Sequence, residues 1–215
     1  MNLRELNIKL TRESLKKEIS RDILIIQTIH SIEEINKAVN SLIANIRERY
    51  GYYAPRASKI EDNEKFLEVL NKRTKEDIGL DFTNKDLDYI IEMANEIKNL
   101  VKLEKSQEKY LEDLEKEICP NLVRVATPII TAKLIDHAGS LKHLAELPSS
   151  TIQVLGAEKA LFRHIKTGSK APKFGVIFKH QNITKSPQDL KGKTARRLSS
   201  EISKVAKIDF FGHKK

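Results

Sequence analysis

An unbroken heptad runs through residues 21–50. One seam position reads Ile25, Ile32, Val39, Ile46, and the other reads Ile29, Asn36, Ile43, Tyr50. Spacings that alternate four and three wind paired helices into a left-handed coiled coil, so a helix over about 21–50 needs a partner helix. Asn36 is a polar residue at a seam position, a device that fixes register at some cost in stability. Gly51 is expected to end this helix and Pro55 to prevent its resumption.

The partner is expected at about 83–118. Thr83 and Asp86 bracket a capping box with Asp in place of the usual Glu. The apolar positions that follow are Ile90, Met93, Ile97 and Leu100, then Leu111, Leu114 and Ile118. Helices of this size extend about 45–50 Å each. Joined through a small tip at 51–82, with a short helix near Asn63–Lys75 and a break at Gly79, they are expected to pair as an antiparallel hairpin. The heptad suits a purely structural hairpin and a partner-binding one equally. Residues 1–118 are read as this coiled-coil domain and 119–215 as a second, compact helical one, so the fold class is mainly all-α.

Charge separates the two halves. Residues 119–215 hold 18 Lys and Arg against 6 Asp and Glu, whereas 1–118 holds 21 against 24, so the whole net charge of +9 comes from the second half. Solubility does not require such a split; a polyanionic partner explains it, although basic domains without one exist. No run approaches the ~18 apolar residues of a membrane span. The first twenty residues have no secretory core, and the lone Cys119 excludes an internal disulfide framework. A soluble intracellular protein is expected.

In the basic half, Cys119–Pro120 closes the long helix. A helix over Leu122–Ala138 kinked at Pro128, short helices at Leu141–Leu147 and Ser149–Leu155, and another at Ala157–Lys166 are expected. An extended piece at Gly175–Lys179 follows. A last helix is expected from Pro187 to about Ile208, with Ser186 as its cap and Leu190, Leu198, Ile202 and Val205 as its apolar face.

Catalytic chemistry finds little footing. Gly192–Lys193–Thr194 lacks the earlier glycine and preceding strand of a phosphate loop. The histidines show no metal spacing and no nucleophile motif appears, so no metal, no cofactor and no enzyme is expected. The informative stretch is 156–175. Ala160, Leu161, His164 and Ile165 suit the inward face of a short helix, and Phe162 and Phe174 suit a core. Lys159, Arg163 and Lys166 recur at four and three residues and stack on one outward face. Gly168, Lys170 and Lys173 continue the cationic surface into a loop where glycine lets backbone amides approach a phosphate. The alternative reading is an ordinary solvated basic face.

Two stretches resemble the Nop domain: Leu134–Ile135 with Ala138–Gly139–Ser140–Leu141, and the run from Leu147–Pro148–Ser149–Ser150–Thr151 through Gln153, Gly156–Ala157–Glu158–Lys159 and Arg163–His164 to Thr167–Gly168. Pro172–Phe178, Gly192–Arg196 and Ala206–Asp209 agree, as do Ile25–Ile29 and Arg49–Tyr50–Gly51 at the family's first coiled-coil helix. The resemblance is to a family of box C/D ribonucleoprotein scaffolds, and most of all to its archaeal members. The resemblance implies an RNA-binding scaffold that guides 2′-O-methylation of rRNA or tRNA. It docks on a kink-turn of the guide RNA already bound by a small ribosomal-protein-like partner, and the coiled coil mediates self-association. It also implies that the Gly156–Lys159 motif lies near the guide–substrate duplex, with chemistry supplied by fibrillarin, a separate methyltransferase.

Lys159, Arg163, Lys166, Lys170 and Lys173 are the expected phosphate contacts, and Gln153 and His164 closer ones. Family members begin with a domain of about 100 residues that holds fibrillarin. Only about twenty residues precede the seam here, so either a chain cut short of that domain or an unusually short member is expected, and direct fibrillarin binding by these 215 residues is not. The basic tail found in many relatives is reduced to His213–Lys215. The location would be cytoplasmic in an archaeon, nucleolar or nuclear in a eukaryote. The competing readings are a spliceosomal relative on a small nuclear RNA and an oligomerisation module with an incidental basic face.

Overall fold

The computed structural model describes residues 2–18, 20–73 and 75–212, with the side chains of 15–18 excepted, so the short tail at 213–215 lies outside the described residues. Within them there is no strand, and the chain is all-α. The helices are α1 (Leu3–Glu18), α2 (Asp22–Tyr53), α3 (Asn63–Asn71), α4 (Asn84–Ile118), α5 (Pro120–Ala126), α6 (Pro128–Ala138), α7 (Leu141–Glu146), α8 (Ser149–Val154), α9 (Glu158–Thr167), α10 (Gln181–Thr184) and α11 (Lys191–Phe211). Contacts group residues 31–108 into one compact unit, and residues 1–30 with 109–215 into another; α2 and α4 contribute residues to both.

In the unit of residues 31–108, Val39, Ile43, Ile46 and Tyr50 of α2 share a core with Leu87, Ile90, Ala94 and Ile97 of α4. Burying each such aliphatic side chain contributes about 1.5–3 kcal/mol. Asn36 donates from Nδ2 to Glu104 Oε1, and the Arg49 guanidinium lies 5.6 Å from the Tyr89 ring centroid, so the helices run antiparallel. The seam asparagine is thereby partnered rather than orphaned. The capping box at Thr83 forms as the sequence predicts: Thr83 N donates to Asp86 Oδ2 at 2.9 Å and Asp86 N donates to Thr83 Oγ1 at 3.3 Å.

The tip is held by Arg47. Its guanidinium donates to the carbonyls of Ser58, Ile60 and Glu61 and to Asn63 Oδ1, and lies 4.4 Å from the Phe66 ring centroid. Gly79 is required where it stands, because a Cβ there would sit 1.8 Å from the Tyr53 carbonyl oxygen. Gly51 does not end α2, which continues to Tyr53. Glycine weakens a helix by only about 1 kcal/mol, and the burial of Tyr50 and Tyr53 in the tip core outweighs that. Pro55 is the true stop.

In the unit formed by residues 1–30 and 109–215, Ile25 and Ile29 of α2 are buried, as are Leu111 and Leu114 of α4, and Arg21 pairs with Glu117. α11 forms the spine here, packing against α5, α7 and α8 with Ala195, Leu198, Ile202 and Ala206 buried. Two buried aspartates satisfy helix N-termini from a distance in sequence. Asp22 Oδ2 accepts from Leu141 N at 2.6 Å, and Asp209 accepts from Leu122 N at 2.8 Å and from Asn121 Nδ2 at 2.7 Å.

Several sequence expectations give way here. The single kinked helix over Leu122–Ala138 is two helices, because Pro128 lacks an amide and Thr127 turns to φ +69°. The expected extended piece at Gly175–Lys179 is a 310 turn at Val176–Lys179. With no strand to pair with, Gly175 N and Val176 N donate instead to the carbonyls of Gln153 and Leu155. The last helix begins at Lys191 rather than Pro187. Ser186 Oγ is taken by the Asn182 carbonyl and faces Thr194 Oγ1, so it caps nothing, and 187–190 forms a turn that leaves Leu190 exposed.

Candidate nucleic-acid interface

The path into α9 is set by Gly156. Its φ is +86°, and a Cβ there would lie 2.4 Å from Val176 Cγ2 and 3.1 Å from His137 Nε2. Only glycine lets the chain pass between α6 and the 310 turn at this point. The Glu158 carboxylate folds back to accept the Gly156 amide at 2.6 Å and lies 3.7 Å from His137 Nδ1. Glu158 is thus occupied in shaping the loop, and Ala157 takes the N-cap position of α9 without a side-chain bond.

α9 itself buries no residue. Lys159, Arg163 and Lys166 are exposed on one arc of the helix. The inward face expected from the sequence is corrected in part: Ala160, Leu161 and His164 are half-buried, but Ile165 is 71% exposed. Phe162, expected in a core, is 70% exposed and flanks the cationic arc. The reason is that no element of the described residues covers this side of α9, so part of its hydrophobic periodicity faces outward.

The remaining predicted residues divide between surface and scaffold. His164 is held by the Ser169 carbonyl through Nδ1, and Thr167 Oγ1 donates to the Arg163 carbonyl at 2.7 Å. Gly168 closes α9 at φ +68°, the left-handed conformation glycine favours. Gln153 Nε2 donates to the Lys173 carbonyl at 2.8 Å, so Gln153 ties the loop to α8. Phe174 stacks on Phe178, with ring centroids 5.0 Å apart. Lys170 and Lys173 are exposed. None of the five cations pairs with a carboxylate of the described residues. Sequence reasoning missed His137 and Val176, which shape Gly156 from nineteen residues before it and twenty after it; no local signal points to them.

Among the described residues no group of three potential metal ligands gathers, and no helix is long and apolar enough to cross a membrane. The surface sets exposed cations beside exposed apolar side chains. A family model described as "Nop: snoRNA binding domain, fibrillarin" matches residues 62–215. The chain belongs to the Nop family. Among Nop-family proteins it is 34% identical to an uncharacterized NOP5 family protein of Methanocaldococcus jannaschii, over 95% of this chain and 56% of that protein. It is 32% identical to nucleolar protein 58 of Schizosaccharomyces pombe, over 97% of this chain and 47% of that protein. Nucleolar protein 56 of Homo sapiens is also 32% identical, over 94% and 39%. The chain spans about half the length of the curated relatives it matches. A solved structure of a fibrillarin/Nop5p complex contains a similar chain, with TM-score 0.58 and 28% identity over 97% of this chain and 69% of that one.

Proposed function

We propose that this chain is a non-catalytic, RNA-binding scaffold of a box C/D-type ribonucleoprotein that guides site-specific 2′-O-methylation. The observation that carries this reading is α9: a helix with no buried residue, three unpaired cations on one arc, and Phe162 and Ile165 exposed beside them. Cations alone would suit bare RNA. An apolar pair exposed beside them suits a composite surface, RNA backbone together with a protein already bound to it. On this reading the partner is a small ribosomal-protein-like protein seated on a kink-turn, residues 119–215 carry the docking, and the coiled coil of residues 1–118 joins two copies. The methyl transfer belongs to fibrillarin, named with the solved relative.

The mechanism is positioning. Lys159, Arg163, Lys166, Lys170 and Lys173 hold phosphates, while Glu158, His164 and Gln153 fix the loops that present them. Each phosphate contact adds about one unit to the slope of log affinity against log salt and little sequence specificity. The test compares a kink-turn RNA bare and occupied by its small protein, by electrophoretic mobility shift. Tighter binding to the occupied RNA, lost on Lys159→Ala/Arg163→Ala/Lys166→Ala while the coiled-coil self-association persists, is expected. Equal affinity for bare and occupied RNA, or an unaffected triple variant, would refute it.

A further inference from the structure

The docking helix does not use the cations of α11. Its first seven residues hold Lys191, Lys193, Arg196 and Arg197, with no acid until Glu201. A groove of about 500 Å³ runs along this stretch, lined by Asn182, Leu190, Lys193, Thr194, Arg197 and Glu201, with Leu198 also in its wall. From these we infer a second RNA-contact site, in which the groove seats a stretch of phosphodiester backbone from the RNA held by α9. The inference rests on the reading of the chain as an RNA scaffold and extends it to a face that reading leaves idle.

The chemistry of the lining supports a sugar–phosphate strand. Lys193 and Arg197 stand one helical turn apart and are both exposed, so they share a face and reach phosphates together. No carboxylate of the described residues pairs with Lys193. Arg197 has one such partner, Glu201, at 3.5 Å, and with the Arg197 side chain 84% exposed this solvated pair gives way to a phosphate. The side-chain amide of Asn182 is without a hydrogen bond among the described residues and adds a neutral donor opposite α11. Leu190, 46% exposed, and the buried Leu198 make an apolar ledge against which a ribose can rest. Glu201 closes one end of the groove to anions and so orients the strand toward Lys193.

The same residues explain why Gly192–Lys193–Thr194 resembles a nucleotide-binding loop without being one. No strand precedes it, and Thr194 Oγ1 lies 3.2 Å from Ser186 Oγ. Lys193 therefore serves an open groove rather than an enclosed nucleotide pocket.

The experiment measures the salt dependence of binding of the full chain to a fluorescein-labelled box C/D hairpin RNA preassembled with its kink-turn protein. Lys193→Ala is expected to make the slope of log affinity against log salt shallower by about one unit, and Lys193→Ala/Arg197→Ala by about two. Lys193→Arg should restore the slope, and the thermal midpoint should stay put because both side chains are exposed. An unchanged slope in the double variant, while the α9 triple variant lowers it, overturns the groove and leaves the scaffold reading standing. A double variant that keeps its RNA slope but no longer binds labelled poly-glutamate also overturns it, giving the groove to an acidic peptide. A wild-type chain that fails to bind this RNA at all overturns both readings.

Discussion

Glu115 offers a measurement whose size can be worked from the structure. It lies near the end of α4, fully buried, and neither carboxylate oxygen has a hydrogen-bond partner. Burial pushes its pKa up to about 9; the Glu112 carboxylate adds to the rise, and the nearby Ala132 amide, short of a hydrogen bond, offsets it only partly. The folded chain therefore keeps this carboxyl protonated at neutral pH, while the unfolded chain ionises it near 4.5. Because the folded pKa is the higher one, its stabilising contribution is complete below about pH 4 and is lost as pH rises through about 9. Between those limits the unfolded state binds fewer protons, so stability falls by about 1.4 kcal/mol per pH unit, or about 3 kcal/mol by pH 7.

Glu115→Gln removes the titration while keeping the shape. The variant should match the parent near pH 4 and exceed it by about 3 kcal/mol at pH 7. Urea unfolding followed by circular dichroism at several pH values gives both curves. Parallel curves for parent and variant across pH 5–8 would show that Glu115 ionises freely when folded, and the reasoning would fail.

Three further outcomes follow from buried or strained positions. Gly156→Ala forces a side chain into φ +86° and against Val176, which costs about 1–2 kcal/mol from the backbone alone and should also weaken RNA assembly, read by thermal unfolding and mobility shift in parallel. Asp209→Ala strands the amides of Asn121 and Leu122 and should destabilise the fold by about 2–4 kcal/mol in denaturant titration; a loss below 0.5 kcal/mol would contradict its capping role. Arg47→Lys keeps the charge but cannot fork to Ser58, Ile60, Glu61 and Asn63 at once, so proteolysis within 55–75 should quicken while the RNA affinity of the chain is unchanged.

The coiled coil was legible because its cause is local and periodic: a seam at four-and-three spacing and a Thr83–Asp86 box each declare themselves within a few residues. The cationic arc of α9 was legible for the same reason. What failed depended on partners far along the chain. Whether Phe162 and Ile165 are core or surface depends on whether another element covers α9, and periodicity carries no information about that. The start of α11 moved because Ser186 found its partner in Asn182, a competition between two local bonds that sequence alone leaves balanced. The shaping of Gly156 by His137 and Val176, and the capping of α7 by Asp22 over more than a hundred residues, are tertiary facts with no local trace.

A helix that buries none of its residues can change its outer face without endangering the core. In α9 the residues that would read the partner are almost free of folding duties, which fall instead to Gln153 and Gly156 before the helix and to Glu158 and His164 within it. Recognition and foldability are therefore separable here. Substitutions along the exposed arc should alter how tightly a partner is held while the amount of folded protein stays constant, giving variation a way to retune affinity one side chain at a time.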